Sequence, residues 1–283
     1  MISDTIKIIL APLQGFTDLT YRNVFCDHFD GVDEAVAPFI STMGEKRLKP
    51  SRIKDVDLTL NSTKIEITPQ ILSNSAEDFV FLANHLYNMG HTRVNWNLGC
   101  PHSKIAKKLR GSGLLNHPDR IDAFLQGVIP SMKPTMSVKV RLGRYAPDEI
   151  DRLLPVFDKY PLDEIILHPR TGIQMYTGTS DHDAFERAMG LSRHPFAYNG
   201  DITDMESFSA VSKRFGHVRR FMIGRGILTN PFLAEQIKGI ENRSDRVSRL
   251  VEFHRDLFEN YQKIFSGPGH LTNRMKGFWT YLG

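Results

Sequence analysis

Residues 223–231 read IGRGILTNP, an apolar segment that gives way at once to glycine, arginine and a second glycine. Residues 199–204, NGDITD, make the same kind of exit from the apolar stretch before them. A glycine where a chain leaves a strand lets backbone N–H groups come close to an anion, and a helix N-terminus nearby adds a favourable dipole. Two such exits on successive strands are the arrangement barrels use to hold a phosphate, often beside a short extra helix. Either exit alone reads equally well as an ordinary tight turn. Arg225 would add a charge-assisted contact to the same anion.

Working outward from these two exits, short β-branched segments recur at 7–11, 33–39, 64–71, 93–97, 136–141, 164–168, 195–199 and 219–223. Helical patterns separate them. Ser75 and Asp78 make a cap ahead of the apolar face Phe79, Leu82, Ala83 and Leu86, and Gly90 ends it. Pro118 suits a first helical position before Ile121, Phe124, Leu125 and Val128. Thr203 and Glu206 form the expected capping box ahead of Phe208, Val211 and Phe215. Eight strand-plus-helix repeats predict an α/β fold, a (β/α)8 TIM barrel over residues 1–238, with an open doubly wound sheet as the alternative. Beyond 238 the repeat stops. Val247, Leu250, Val251, Leu257 and Phe258 give helical spacing, 266–269 (SGPG) breaks it, and Met275, Phe278, Trp279 and Leu282 resume it. This predicts a small C-terminal all-α helical domain over 239–283, with an apolar pattern still running where the sequence stops.

Composition bounds the function. The 283 residues are 41% hydrophobic and 24% charged, as in ordinary soluble globular proteins. Two cysteines, Cys26 and Cys100, are too few for a disulfide framework and suit a reducing compartment. With no basic-then-apolar leader and no apolar run of membrane-spanning length, the expectation is a cytoplasmic protein without a membrane partner. The histidines lack ligand spacing, so no metal is expected. The net charge of +4 is mild, but its distribution is uneven. Basic residues gather at Lys46, Arg47, Lys49, Arg52 and Lys54, again at Lys104, Lys107, Lys108 and Arg110, and again at Arg243, Arg246, Arg249, Arg274 and Lys276. Such clusters suit a polyanion and equally a solvated face.

The strand ends carry the chemistry. They finish in Pro12-Leu13-Gln14, Gln70, Asn97 to Cys100, Lys139 to Arg141, His168 to Arg170, Asn199-Gly200-Asp201 and Gly224-Arg225-Gly226. In a barrel these ends converge on one face, where active sites are built. Gln70 and Asn97 can hydrogen-bond the edge of a planar heterocycle. Lys139 and His168 can stabilise negative charge such as a reduced flavin carries. Lys139 sits within an otherwise buried run, where an unpaired lysine is costly. Cys100, between glycine and proline and ahead of three lysines, could be a nucleophile, a general acid or a small buried hydrophobe. No P-loop or dinucleotide fingerprint occurs.

Taken in order, APLQGFTD (11–18), NLGCP (97–101) with GSGLL (111–115), SVKVRLG (137–143), LHPRTGIQMYTG (167–178), YNGDI (198–202) and MIGRGILTNP (222–231) resemble the tRNA-dihydrouridine synthases, from about residue 8 to 232. The resemblance implies tightly bound FMN, with Pro12, Leu13, Gln14, Gln70, Lys139 and His168 around the flavin. Asn199, Gly200, Asp201, Gly224 and Arg225 would hold its phosphate end. It implies NADPH as transient reductant and a tRNA uridine as substrate, with Cys100 protonating the reduced base. Asn95, Asn97, Lys104, Lys107, Lys108, Arg141, Arg170, Arg274 and Lys276 would contact the RNA, and the protein would act as a monomer. One departure stands out: Asn95 occupies a position where the family commonly has an acid. Leu13 in place of a common methionine conserves volume. A small-substrate FMN oxidoreductase, or a catalytically silent RNA-binding protein on the same scaffold, would share parts of this pattern.

Overall fold

Proline decides how the expected strands are cut. The computed structural model describes residues 6–44, 49–241 and 245–282, so Lys46, Arg47 and Arg243 of the basic clusters lie outside the described residues. Among the described residues there are ten strands: β1 (Lys7–Leu10), β2 (Glu34–Val36), β3 (Ile40–Ser41), β4 (Glu66–Thr68), β5 (Gln70–Leu72), β6 (Arg93–Leu98), β7 (Thr135–Gly143), β8 (Ile165–Thr171), β9 (Phe196–Tyr198) and β10 (Arg220–Ile223). The two extra strands arise where one was expected over 33–39 and another over 64–71. Pro38 and Pro69 stand in those segments, and a residue without an N–H cannot donate to a ladder.

The chain forms two compact units. The first comprises Met1–Pro38, Lys54–Ile67 and Ile202–Gly283. In it β10, β1 and β2 run parallel, with Lys7 opposite Arg220 and Ile9 opposite Glu34. Arg220 closes a two-pronged ion pair on Glu34, both contacts at 2.8 Å. The C-terminal helices pack within this same unit, so its limits differ from the division expected at residue 238. Helix Arg246–Gln262 lays Phe253 edge-on against Phe29, ring centres 5.1 Å apart, and against Tyr21 at 6.0 Å. Helix Pro268–Leu282 stacks Phe278 on Tyr21 at 5.4 Å.

The expected face is buried only in part: Leu257, Met275 and Phe278 lie inside as their spacing predicts, while the valines and Trp279 do not. Val247 and Val251 are 67% and 61% exposed and Trp279 is 48% exposed, whereas Phe253, Leu257 and Tyr261 are buried. Aromatic rings bury more area than valine and take the inner stripe. The capping box is also displaced by one residue. Asp204 accepts from the Ser207 N–H at 2.7 Å, and the Ser207 hydroxyl accepts from the Asp204 N–H at 3.1 Å. A carboxylate caps the helix start better than threonine does.

The second unit comprises Phe39–Ile53 and Thr68–Asp201. Its strands run β3-β5-β6-β7-β8-β9, every pair parallel. Parallel neighbours need a crossover, and the helices Ala76–Asn88, Pro118–Val128, Glu149–Phe157 and His182–Leu191 supply them. Ser75 accepts from the Asp78 N–H at 3.3 Å, Gly90 takes a positive φ of 104° after the helix, and Pro118 opens the next one. Phe79, Leu82, Ala83 and Leu86 are buried as their spacing predicts, as are Ile121, Phe124, Leu125 and Val128. Trp96 joins the two helices. Its ring stacks on Phe124 at 4.0 Å, lies near Phe79 at 6.3 Å, and its Nε1–H donates to the Ser73 carbonyl at 3.0 Å. Trp96→Ala should therefore cost about 3–5 kcal/mol of stability, read from the urea midpoint at unchanged slope.

Candidate active site on the second unit

Parallel strands bring their carboxyl ends to one side, and in this unit those ends carry Leu72, Leu98, Gly143, Thr171 and Tyr198. Cys100 follows β6 by two residues, in a turn that one side chain holds. Asn97 Oδ1 accepts from the Gly99 and Cys100 N–H groups at 3.2 and 2.9 Å. Asn97 Nδ2 donates to Gln70 Oε1 at 2.7 Å. Gln70 Nε2 donates to Asn95 Oδ1 at 2.8 Å, and Asn95 Nδ2 to the Ser137 hydroxyl at 2.8 Å.

The far side of the turn is held by arginines. Arg141 Nε donates to the Gly99 carbonyl at 3.0 Å, and its Nη1 to the carbonyls of Thr171 and Met175 at 2.9 and 2.7 Å. Arg144 Nη1 donates to the Pro101 carbonyl at 3.0 Å and to the Ser112 hydroxyl at 3.1 Å. Gly111, at φ 56°, passes so close that a Cβ there would lie 2.8 Å from the Cys100 carbonyl. The Ser112 N–H donates to that carbonyl at 3.0 Å. The GSGLL motif is thus the bed on which the cysteine turn rests.

Two titrating groups are displaced by this setting. Burial pushes the Cys100 thiol up, against the His102 N–H and the nearby Arg141 and Lys139 charges, which only partly offset it. Burial first, and the Arg141 charge second, push Lys139 down to about 7, so it titrates near neutrality. Among the described residues Lys139 has no hydrogen-bond partner in the protein. Arg141 is lowered to about 10, chiefly by burial, and stays charged at neutral pH.

On β8, His168 Nε2 lies 3.1 Å from Arg170 Nη1. A guanidinium only donates, so Nε2 accepts and the proton sits on Nδ1. Arg170 grips Asp201 with both prongs, at 2.9 and 2.5 Å, and reaches the Ser180 hydroxyl and Gly178 carbonyl. Partial burial would raise the Asp201 carboxyl, but Arg170 and Ser180 outweigh it and hold it below the usual range. Gly200 is required between them, since a Cβ would lie 2.5 Å from the Ser180 hydroxyl.

The expected site residues therefore sort by what they touch. Lys104, Lys107 and Lys108 are exposed. Lys104, Lys108 and Arg110 line a groove of about 550 Å³ with Thr42, Met43 and Leu72. Arg110 is fixed there by the Thr42 carbonyl at 2.8 Å and Asn74 Oδ1 at 3.0 Å. Asn95 differs from its expected role as an RNA contact. It is 0% exposed, with both ends of its amide engaged inside the sheet. Arg141 and Arg170, 2% exposed each, spend their donors on the protein itself. Sequence reading passed over Ser137, Ser112 and Arg144. Ser137 alone had a usable signal, because it shares the two-residue period of Lys139 and Arg141 along β7.

In the first unit, Pro12, Leu13 and Gln14 open a turn locked by Thr17, whose hydroxyl accepts from the Leu13 N–H at 2.8 Å and donates to the Ala11 carbonyl at 2.9 Å. Gly224 precedes the short helix Arg225–Thr229, the extra helix expected at this exit. Gly226 cannot carry a side chain, since a Cβ would meet the Ile202 carbonyl at 2.1 Å. Arg274, expected to face RNA, donates to the Gly15 carbonyl and lies 3.5 Å from Asp18. Lys276 is exposed. Arg249 pairs with Glu235 at 2.6 Å and is buried. Among the described residues, no group of three or more His, Cys, Asp or Glu is placed to hold a metal, and no helix is long and apolar enough to cross a membrane.

The family profile described as Dihydrouridine synthase (Dus) matches residues 9–276. The chain belongs to the dihydrouridine synthase family. A probable tRNA-dihydrouridine synthase of Staphylococcus epidermidis is 32% identical over 268 residues, covering 90% of this chain and 78% of that protein. The tRNA-dihydrouridine synthase B of Yersinia pestis is 27% identical over 93% of this chain and 82% of its own length. The fold is that of the TIM-barrel oxidoreductases. An old yellow enzyme homologue from Zymomonas mobilis superposes with a TM-score of 0.56 at 11% identity, over 86% of this chain and 91% of that one. Morphinone reductase does so with 0.57 at 9% identity, over 86% and 88%.

Within this family member the raised Cys100 thiol has a direct consequence. It should resist iodoacetamide at pH 7–8. Its alkylation, followed at the Cys100 peptide by mass spectrometry, should accelerate only above the pH range of an ordinary cysteine.

Proposed function

We propose that this chain reduces the C5–C6 double bond of a uridine in tRNA, with Cys100 as the proton donor. The observation that carries the reading is the Cys100 turn: a thiol kept protonated by burial and presented on a loop fixed by Asn97, Arg141 and Arg144. A nucleophile at this position would need the opposite shift, toward thiolate.

The residues fit a flavin. Lys139, which among the described residues has no hydrogen-bond partner, would gain a counter-charge from an electron-rich ring, and that would restore its protonated form. His168 presents a fixed tautomer beside it. Lys139 and His168 would hold the ring, and Asn199 and Gly200, on a turn braced by the Arg170–Asp201 pair, would serve its phosphate end. The family's motifs assign Pro12, Leu13, Gln14, Gly224 and Arg225 to cofactor binding as well. When bound there, FMN would supply hydride for uracil C6, with NADPH as its reductant. The π electrons freed at C5 take the proton from Cys100 Sγ, leaving a thiolate that regains a proton from solvent. The thiol therefore acts as a general acid, and its high proton affinity keeps it loaded before each turnover.

The uridine must leave its stack to be reduced, at a cost of a few kcal/mol that is least in a loop. Phosphate contacts offset this cost without reading sequence. The groove beside the Cys100 loop, with Lys104, Lys108 and the fixed Arg110, suits that work, and Lys107 extends its charge. Asn97 orients the acid more than it reads the base. The helical segment after 238 is assigned to RNA through Lys276 and Arg246, and the enzyme works as a monomer in the cytoplasm, where its tRNA is.

Cys100→Ala should keep near-normal flavin reduction by NADPH while slowing uridine reduction about 10²–10⁴-fold, measured as dihydrouridine formed in unmodified tRNA. Equal rates would move the proton donor elsewhere. Lys104→Glu with Lys108→Glu should weaken tRNA binding and flatten its dependence on salt by about one unit per lost phosphate contact. An unaltered slope in a filter-binding titration would remove the groove from the RNA path.

A further inference from the structure

The structure gives Asn95 a task that involves no RNA. It lies in the middle of β6, opposite Gln70 on β5 and Ser137 on β7, fully buried. Four side chains form an unbroken line from there to the cysteine turn. The Ser137 hydroxyl accepts from Asn95, Asn95 accepts from Gln70, Gln70 accepts from Asn97, and Asn97 accepts from the backbone of Gly99 and Cys100.

The line has a direction. A glutamine amide can be turned end for end with little change of shape, and only its partners decide which end is oxygen. Asn97 must offer its oxygen to the two N–H groups of the turn, so its Nδ2 faces Gln70 and requires an oxygen there. Gln70 meets that requirement only if its NH2 end finds an acceptor on the other side. Asn95 Oδ1 is that acceptor, and Ser137 fixes Asn95 by taking up its NH2 group. Gln70 is 0% exposed, so a flipped amide would set two N–H groups face to face with no water to separate them.

We propose that Asn95 and Ser137 are positioning residues for the proton-transfer step: they set the polarity of the Gln70 amide and, through Asn97, the backbone of the Cys100 turn. The same geometry would accept an acid in place of the amide. An aspartate at 95 would accept from Gln70 as Asn95 does, and the Ser137 hydroxyl, a rotor that both donates and accepts, would turn to donate to it. Serine at 137 makes the two residue types equivalent. Asparagine needs no desolvated charge, and this chain places a lysine of depressed proton affinity one strand over at 139.

This inference rests on Cys100 being the acid, and its test is chosen to stand apart from that reading. Asn95→Leu fills the site but removes the acceptor. In protein without tRNA, iodoacetamide should alkylate Cys100 several-fold faster in this variant, because the turn loosens and the thiol is uncovered. Asn95→Asp should return the rate toward that of the parent. Steady-state uridine reduction should fall about 10- to 100-fold in kcat for Asn95→Leu with KM for tRNA unchanged, the scale of a misplaced catalytic group. Ser137→Ala, which keeps the fold's packing, should show the same changes in smaller measure and serves if Asn95→Leu does not fold. An unchanged alkylation rate in both Asn95→Leu and Ser137→Ala overturns the proposal, whatever the enzyme's substrate proves to be. A rise in KM with kcat intact overturns it too, since that is the signature of a lost RNA contact. Failure of Asn95→Asp to restore alkylation behaviour does the same for the serine rotor.

Discussion

The guanidinium of Arg141 is the tie on which the candidate active site depends. From the end of β7 it binds the Gly99 carbonyl in the cysteine turn and the carbonyls of Thr171 and Met175 in the loop after β8. Three backbone acceptors from two loops converge on one planar cation, whose rigid fork suits such a task better than a lysine would. Loops at the ends of parallel strands have no ladder to hold them, so their polar backbone groups must find partners elsewhere. Arg141 supplies those partners from inside the protein. Its charge also favours thiolate at Cys100, and burial prevails over it. The thiol is held in place beside a cation without being turned into a thiolate by it.

The same economy recurs along the neighbouring strands. Arg144 fixes the Pro101 carbonyl and Ser112, while Arg170 fixes Asp201, Gly178 and Ser180. Arg141 and Arg170 were expected to contact RNA, because arginine at a strand end in a basic protein invites it. Burial of Arg141 and Arg170, with donors spent on backbone carbonyls and Asp201, assigns them instead to the scaffold. Lys139 is the exception. It projects from β7 between Ser137 and Arg141 and, among the described residues, has no hydrogen-bond partner in the protein.

In the first unit the decisive packing is aromatic. Tyr21, Phe25, Phe29, Phe253 and Phe278 interleave at centroid distances between 5.1 and 6.4 Å. They bind the C-terminal helices to the helix that follows β1. The buried Arg249–Glu235 pair adds direction, since Glu235 also accepts from the Asp30 N–H at 3.0 Å. That packing is why the valines of helix Arg246–Gln262 face outward although their spacing suggested a core stripe. Two stripes competed, and the one richer in rings prevailed.

What the sequence determined was local and periodic. The strand-and-helix alternation, the caps at Ser75 and Pro118, the glycine exits at Gly200 and Gly224 and the turn that carries Cys100 all follow from residue chemistry within a few positions. Pro38 and Pro69 were visible too, and their missing N–H groups divide two expected strands. Tertiary structure decided what no local pattern encodes. Partners far apart in sequence settled which arginines are buried, which face of the last helices turns inward, and that Asn95 speaks to Gln70 and Ser137. An amide's hydrogen bonds have no signature in its own neighbourhood, because donor and acceptor are interchangeable until other strands arrive beside them. Only in the assembled sheet does the line from Ser137 to Cys100 acquire a direction.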